Sequence, residues 1–427
     1  MSPLPAAPGR RWRRLIPVVF VTYSLAYLDR SNFSIAAASG MAADLRIGAE
    51  GSSLVGSMFF LGYFAFQVPG TVYAERHSVK GLIFWCLLAW GAMASLTGWV
   101  TNLPGLLAVR FVLGAAEAAV LPALLVHLNR WFSQSERSKA NSLLILGNPA
   151  TVVWMSVVSA YLVRSFNWRW MFILEGAPAI AWAGLWWWWT DERPADAKWL
   201  GQDERRRLES SLAAEQGDLR PVGNYREAFR SPVVVCLCAQ YFCWSLGFYG
   251  FLIWLPSILR LASHEGIVRT AWLAALPYAV SIPALLAASV WSDRRRNRVG
   301  FVWPFLATAS LAFYGSYVLG ASNFILSYGL LALAGVCMYA PYGPFFAIVP
   351  ETLPRDVSGG AVALVNSVGA LGGFAGAYLV GYLNGSTGSP AYGYALMSAS
   401  LMVSAILIWC VPRLARRGAA PPAGIRA

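Results

Sequence analysis

Apolar runs long enough to cross a bilayer, roughly 17–25 residues each, recur along the whole chain with short polar connections between them. They fall near 15–38, 51–74, 81–100, 103–129, 139–164, 168–190, 232–259, 270–292, 301–320, 323–350, 357–383 and 390–412. Each predicts a helix, because lipid offers no partner for an exposed backbone amide. The only long connection, 191–231, is rich in both charges (Asp203, Glu204, Arg205, Arg206, Arg207, Glu209) and predicts a short amphipathic helix on the membrane surface. It divides the chain into an N-terminal six-helix bundle, 1–190, and a C-terminal one, 232–427. The halves echo each other after their second helices, with Ala74-Glu75-Arg76 in one and Ser292-Asp293-Arg294 in the other. Matching acid–Arg pairs signal an internal repeat. The expected fold is therefore an all-α integral membrane protein of 12 transmembrane helices in two pseudo-symmetric six-helix bundles.

Composition agrees with lipid as the main solvent. The 427 residues are 57% hydrophobic and 12% charged, where a soluble domain carries about 25% charged residues. The net charge of +13 raises nucleic acid as a partner, but its placement along the chain argues for topology instead. With the N-terminus cytoplasmic, 26 of the 33 Lys and Arg fall in cytoplasmic segments and five on the opposite side (Arg46, Arg164, Arg169, Arg260, Arg269). The remaining two, Arg30 and Arg110, lie within the membrane. That asymmetry puts both termini inside by the positive-inside rule, and no nucleic-acid partner is needed. The N-terminal arginines and following apolar run mimic a signal peptide, but Asp29-Arg30 interrupt the run and it exceeds a signal core of roughly 7–15 residues. It is predicted as an uncleaved first span. The six cysteines (Cys86, Cys236, Cys238, Cys243, Cys337, Cys410) all sit in apolar runs. No His or second pair accompanies Cys236 and Cys238, so they are predicted as helix-packing residues, with no metal site and no disulfide.

Four ionisable residues fall well inside the bilayer: Asp29 and Arg30 in helix 1, Arg110 and Glu117 in helix 4. A charge there costs several kcal/mol unless a partner or water offsets it, and intramembrane charges are functional by default. Two acids and two bases also neutralise one another, so a static ion-pair cluster is the competing explanation. Tyr23, Tyr27, Arg30 and Ser34 share one face of helix 1, a stripe suited to a water-filled cavity, with Asp29 about 100° away. Arg110 and Glu117 share a face of helix 4, about 10 Å apart along it. Gly114, between them, allows another helix to approach closely. Arg30 is the candidate for an anionic ligand, since its planar fork matches a carboxylate. Asp29 and Glu117 are candidate proton carriers, because moving an Arg between substrate and acid switches the acid's protonation. The second half has no mid-membrane ionisable residue. It offers Gln240, Tyr241, Tyr249, Trp254, Tyr339, Tyr342, Phe346, Asn366 and Ser367, which Asn148 beside Pro149 joins from the first half. Single Tyr and Trp residues commonly serve as packing or interface anchors, whereas the buried amides of Asn148 and Asn366 need partners. This places charge recognition and coupling in the first half and polyol recognition in the second.

The segment from Gly70 through Glu75-Arg76 to Lys80 resembles the loop motif of the major facilitator superfamily between helices 2 and 3, with Glu75 for the usual Asp and Ser78 for the usual Gly. Tyr27-Leu-Asp29-Arg30-Ser-Asn32, Arg110 through Gly114 to Glu117, Trp131-Phe132 with Glu136-Arg137, and Trp168-Arg169-Trp170 through Glu175-Gly176 resemble its anion:cation symporter branch. That branch includes galactonate, glucarate, phthalate, sialic-acid and glutamate carriers. The stretch Tyr339 to Glu351, with Gly359-Gly360 and Asn366-Ser367, looks closest to the 2-ketogluconate subgroup. The resemblance implies that Arg30 binds the substrate carboxylate, Asp29 and Glu117 take up protons, and Arg110 tunes them. It implies that Tyr27, Tyr63, Asn148 and Asn366 contact the polyol. Phe346 stands where galactonate carriers have a Trp. Glu175 and Glu75 match motif acids that are structural or gating elements, and Gly70, Arg76, Lys80, Asp293 and Arg294 belong to the gating motif and its echo.

The expected function is proton-coupled import of a sugar acid across a bacterial inner membrane by alternating access, by a monomer that needs no cofactor. Uptake of an aromatic carboxylate such as phthalate or a hydroxybenzoate is the alternative. A drug–proton antiporter is disfavoured because Gly147-Asn148-Pro149-Ala150-Thr151 lacks a multi-glycine pattern in helix 5. An intramembrane aspartyl protease is disfavoured by the absence of a paired catalytic Asp motif, and a non-transporting receptor by the repeat.

Overall fold

The computed structural model describes residues 10–217, 231–295, 297–352 and 355–418, and the side chains of Asp29, Glu75 and Asp293 lie outside the described residues. Every regular element among them is helical. The elements are α1 (Arg10–Ala38), α2 (Ala49–Arg76), α3 (Val79–Thr97), α4 (Leu103–Glu117), α5 (Val120–Trp131), α6 (Gln134–Ile145), α7 (Gly147–Ser165) and α8 (Trp168–Trp189). They continue with α9 (Gln202–Gly217), α10 (Pro232–Ser263), α11 (Ile267–Arg295), α12 (Arg298–Leu319), α13 (Phe324–Tyr339), α14 (Tyr342–Thr352), α15 (Arg355–Thr387) and α16 (Ala391–Gly418). Ten spans among the described residues are long and apolar enough to cross a membrane. Helices α1 and α8 supply the remaining two of the twelve spans: α1 carries Asp29, Arg30 and four arginines at its start, and α8 is rich in Trp, which lowers its hydropathy without making it less suited to lipid.

Caps explain the starts of several helices. Ser78 accepts from the Gly81 amide, Asn102 from Gly105, Asn167 from Arg169 and Trp170, Asn297 from Gly300 and Asn323 from Leu326. Each supplies an acceptor to an amide with no partner inside the helix. In three spans the regular helical hydrogen bonding is interrupted three or four residues before a proline, although Ala118, Ala119, Leu146 and Ala340 keep helical backbone angles and each span continues. Span 4 is interrupted at Ala118–Ala119 ahead of Pro122, span 5 at Leu146 ahead of Pro149, and span 10 at Ala340–Pro341 ahead of Pro344. Proline removes the amide that would bond to the carbonyl four residues back, and its ring crowds that carbonyl.

Two compact units are present: residues 1–220 with 252–279, and residues 221–251 with 280–427. The helix of the long connection, α9, and the hairpin formed by the end of α10 and the start of α11 thus group with the first unit. In the first unit α3 packs along α8, α2 along α4, and α1 along α7. The α2–α4 crossing is made by matched glycines, since a Cβ at Gly114 would strike the Phe59 carbonyl and one at Gly62 the Phe111 carbonyl. The close approach expected at Gly114 is therefore made by α2. In the second unit α12 packs along α13 and α16, and α15 meets α10 at Gly372 and Gly376, where a Cβ would strike the carbonyls of Phe242 and Leu246.

Candidate functional site

The first unit brings together Tyr27 and Arg30 from α1, Tyr63 from α2, and Arg110 and Glu117 from α4. Arg30 Nε lies 3.5 Å from Glu117 Oε2, with the two side chains 9% and 0% exposed. The Arg30 guanidinium carbon sits 4.7 Å from the Tyr63 ring centroid, 5.0 Å from that of Tyr27 and 5.2 Å from that of Phe59. Arg110 is 2% exposed, and its guanidinium carbon lies 4.7 Å from the Phe33 ring and 5.5 Å from the Phe59 ring. Phe59 thus lies against both guanidiniums. Aromatic faces carry negative potential and attract cations most strongly where water is excluded. The face of helix 1 expected to line an open cavity is covered here, with Tyr23, Tyr27 and Ser34 all buried.

The sequence pairs Glu117 with Arg110 on one face, but the described ion pair of Glu117 is to Arg30. Seven residues of helical rise set Arg110 and Glu117 about 10 Å apart along α4, and α1 brings Arg30 to Glu117 as well. Glu117 is also the last residue of α4, immediately before the break in span 4. Sequence reasoning missed Phe59 and Phe33. The signals were Phe59 and Tyr63 at i, i+4 facing Gly114, and Phe33 three residues beyond Arg30. Asn148 is half-buried next to the break in span 5, where Gly147 packs on Tyr23 and Ser24.

The second unit contributes an aromatic wall. Tyr241 stacks on Phe345 at 5.1 Å and meets Phe346 edge-on at 5.4 Å. Trp244 and Phe248 of α10 lie against Tyr342 and Tyr339 at 4.8 and 4.9 Å. Tyr241, Trp244 and Phe248 repeat the i, i+3, i+7 spacing of Tyr339, Tyr342 and Phe346 on the broken span 10, so each triplet forms one helix face. Asn366 is half-buried on α15. Gln240 is fully buried and donates to Ser404 Oγ at 2.8 Å, while Ser404 Oγ donates back to the Gln240 carbonyl at 3.0 Å. This exchange clamps α10 to α16, while the Gln240 Oε1 is buried with no hydrogen-bond partner among the described residues.

The motif acids and bases form separate clusters. Glu175 is buried, accepting from Asn32 Nδ2 at 3.0 Å and Ser159 Oγ at 2.6 Å, so it ties α8 to α1 and α7. At the other end of the first unit, Glu192 accepts from Ser78 Oγ (2.8 Å) and the amides of Val79 (3.0 Å) and Lys80 (2.9 Å), and pairs with Arg130. Burial raises the Glu192 pKa, but these donors and Arg130 outweigh it and hold the carboxyl below its ordinary range. Trp186 donates to the Lys80 carbonyl, and the Lys80 ammonium lies 4.8 Å from the Trp187 ring. Gly70 packs on Ala119 at the break in span 4, whereas Arg76 and Arg294 are exposed. Glu192 and Arg130 went unrecognised in the sequence because their partners are 112–114 and 62 residues away. His127, fully buried between Trp131 and Trp186, has no hydrogen-bond partner at either ring nitrogen among the described residues.

A family profile described as Major Facilitator Superfamily matches residues 19–377 and 266–426, and the chain belongs to that superfamily. It is 28% identical over 410 residues, 94% of each chain, to a putative tartrate transporter of Agrobacterium vitis. It is 26% identical over 406 residues, 93% of each chain, to a quinolone resistance transporter of Acinetobacter baumannii. In fold it matches a bacterial homologue of the human lysosomal transporter Spinster, in an inward-facing, unoccupied conformation. The TM-score is 0.76 at 16% identity, covering 98% of this chain and 100% of the other. The protein is thus a multi-pass membrane transporter and not an enzyme.

Proposed function

We propose that the protein is a proton-coupled symporter of the anion:cation type that imports an organic anion. The substrate is a sugar acid of the gluconate or 2-ketogluconate kind, and the carrier works by alternating access in a bacterial inner membrane with both termini cytoplasmic. The observation that carries this reading is the buried Arg30–Glu117 pair with Arg110 in the same aromatic enclosure. Asp29, Arg30, Arg110 and Glu117 sum to zero formal charge. A monocarboxylate taking up Arg30 brings that sum to −1 in a low-dielectric interior, where an uncompensated charge costs several kcal/mol. One proton on Glu117 restores neutrality and frees Arg30 for the substrate. Binding of the anion and binding of the proton therefore favour each other at one pair of residues. In the first unit the hydroxyls of Tyr27 and Tyr63 and the amide of Asn148 suit a polyol; in the second, taken by itself, Asn366 offers a further amide and the Tyr241–Phe346 wall an apolar face.

Tartrate, in the name of one relative, is a hydroxylated dicarboxylate, and quinolone antibiotics, in the name of another, carry a carboxyl group on an aromatic ring system. The aromatic wall favours a second reading, in which the substrate is an aromatic carboxylate such as a hydroxybenzoate. A thermal-shift screen of the purified protein against sugar acids and aromatic carboxylates, followed by liposome uptake of the best binder, separates the two. Stabilisation by a hexonate and acid-driven uptake support the first. Stabilisation by aromatic carboxylates alone supports the second, and stabilisation only by cations or neutral sugars overturns both.

A further inference from the structure

An open groove of ≈ 310 Å³ lies on the second unit at the ends of two packed helices, lined by Asn297, Val299, Gly300 and Trp303 at the start of α12 and by Trp409, Pro412 and Arg413 near the end of α16. It marks a membrane–water boundary, because the apolar spans Arg298–Leu319 and Ala391–Leu414 begin and end there. Trp303 and Trp409, 40% and 48% exposed, occupy the level where indoles collect in membrane proteins. The Arg413 guanidinium carbon lies 3.8 Å from the Trp409 ring centroid. Arg413 has no acidic partner among the described residues.

The sequence that carries the groove residues is one-sided in charge. From Arg294 to the C-terminus the chain has nine arginines, and its only acids are Glu351 and Asp356. The Val299 amide, in the first turn of α12, adds the partial positive charge of a helix start. Below Arg413, Val403, Ile406 and Trp409 form a stripe on α16, 45%, 53% and 48% exposed, while Leu401, Ala405 and Ile408 face the core. A cation fixed at the boundary above an apolar track matches an amphiphile with an anionic head.

We propose that this groove holds the phosphodiester headgroup of an acidic phospholipid on Arg413, with an acyl chain along Val403, Ile406 and Trp409. The indole of Trp409 orients the guanidinium fork toward the phosphate, so the site reads the headgroup's charge together with its position above an apolar chain.

The test uses the full-length purified protein in detergent, with phosphatidylglycerol and phosphatidylethanolamine of identical acyl chains. Retention is read by native mass spectrometry and stabilisation by melting temperature. Phosphatidylglycerol should be retained and stabilising, and phosphatidylethanolamine should not. Arg413→Ala should weaken phosphatidylglycerol retention about fivefold, the equivalent of about 1 kcal/mol for one basic residue at a lipid surface. Trp409→Ala keeps the charge and removes the platform, and should weaken retention severalfold. Arg295→Ala, an exposed arginine outside the groove, should change it less than twofold. Because Arg413 and Trp409 make different contacts, either variant alone tests the site if the other lowers the melting temperature without lipid. Equal retention of the two lipids, equal loss in the Arg413 and Arg295 variants, or displacement of the lipid by inorganic phosphate would each overturn the proposal.

Discussion

Glu117→Gln removes one negative charge and leaves the shape of the site nearly unchanged, so its consequences follow from electrostatics. At 3.5 Å and an effective dielectric near 20, the Arg30–Glu117 attraction is about 5 kcal/mol before desolvation. In the unloaded carrier that attraction competes with the substrate for Arg30. The variant should therefore bind the anion at least as tightly as wild type, with affinity that no longer rises as pH falls. Substrate exchange across the membrane, which needs no net proton movement, should survive. Accumulation should not. One unit of pH difference supplies 1.36 kcal/mol, or about tenfold in concentration, for each proton carried. In liposomes clamped at zero potential with an imposed gradient of one unit, loss of one carried proton should lower the steady-state accumulation ratio about tenfold. Retained counterflow in the same vesicles shows that the protein is folded and binding. Wild-type accumulation by Glu117→Gln would refute the coupling argument and leave Glu117 as an ion-pair partner only.

Arg30→Ala should abolish anion binding at every pH, and Arg30→Lys should restore it poorly because an ammonium lacks the two-pronged donor geometry; normal affinity in a calorimetric titration of Arg30→Ala would move the carboxylate site to Arg110. Glu192→Gln should cost about 1–2 kcal/mol, since hydrogen bonds to a charged group are worth more than neutral ones. The folded pKa of Glu192 lies below its ordinary 4.5, so its contribution is full above that pH and lost as pH falls through the folded value. The melting-temperature gap between wild type and Glu192→Gln should accordingly be constant from pH 6 to 8 and close below pH 4.5; a gap that widens in acid contradicts this. His127→Leu should raise the melting temperature, because an unsatisfied buried polar group costs about 1–3 kcal/mol, and a lower one would show that the imidazole has a partner. Pro122→Ala should restore the helical bond to Ala118 and keep or raise stability while lowering uptake, since Glu117 sits at that break; unchanged uptake and pH dependence would show that the break has no role.

The membrane-spanning helices and the buried Arg30, Arg110 and Glu117 were legible in the sequence because lipid penalises any other arrangement of such residues. The contacts among those charges were less legible. Helical spacing relates residues of one helix, so it placed Tyr27 and Arg30 on one face and Arg110 with Glu117, but the distance from Arg30 to Glu117 depends on how α1 and α4 sit in the bundle. Phe59 was hidden for the same reason, as one apolar residue among many on α2 until Gly114 brings that face against α4. Glu192 was hidden in a polar connection, where an acid ordinarily faces water. Its role arises because Val79 and Lys80 present amides at the start of α3 with no helical partner. Gln240 shows another limit of spacing, since the sequence does not reveal that Ser404 of a neighbouring helix takes up its amide N–H.

The prolines held a signal that links fold to function. A break in a membrane helix leaves backbone groups without helical partners, and such backbone is tolerated only where protein or a polar cavity surrounds it. Pro122, Pro149 and Pro344 each set a break in a different span, and beside those breaks stand Glu117, Asn148, and the pair Tyr342 and Phe346. A static ion-pair cluster would need no such breaks. Continuous helices hold Arg30 against Glu117 equally well, and each proline inside a helix costs about 3 kcal/mol. In the proposed mechanism the carrier exchanges Arg30 between two carboxylates, which calls for local rearrangement at those side chains while the rest of each bundle stays rigid. The coincidence of these interruptions with candidate residues agrees with the proposed exchange of partners, while Pro17, Pro69, Pro178, Pro256, Pro304 and Pro412 lie inside uninterrupted helices. That agreement favours a site built to change partners, with a proton on Glu117 as the step that releases Arg30.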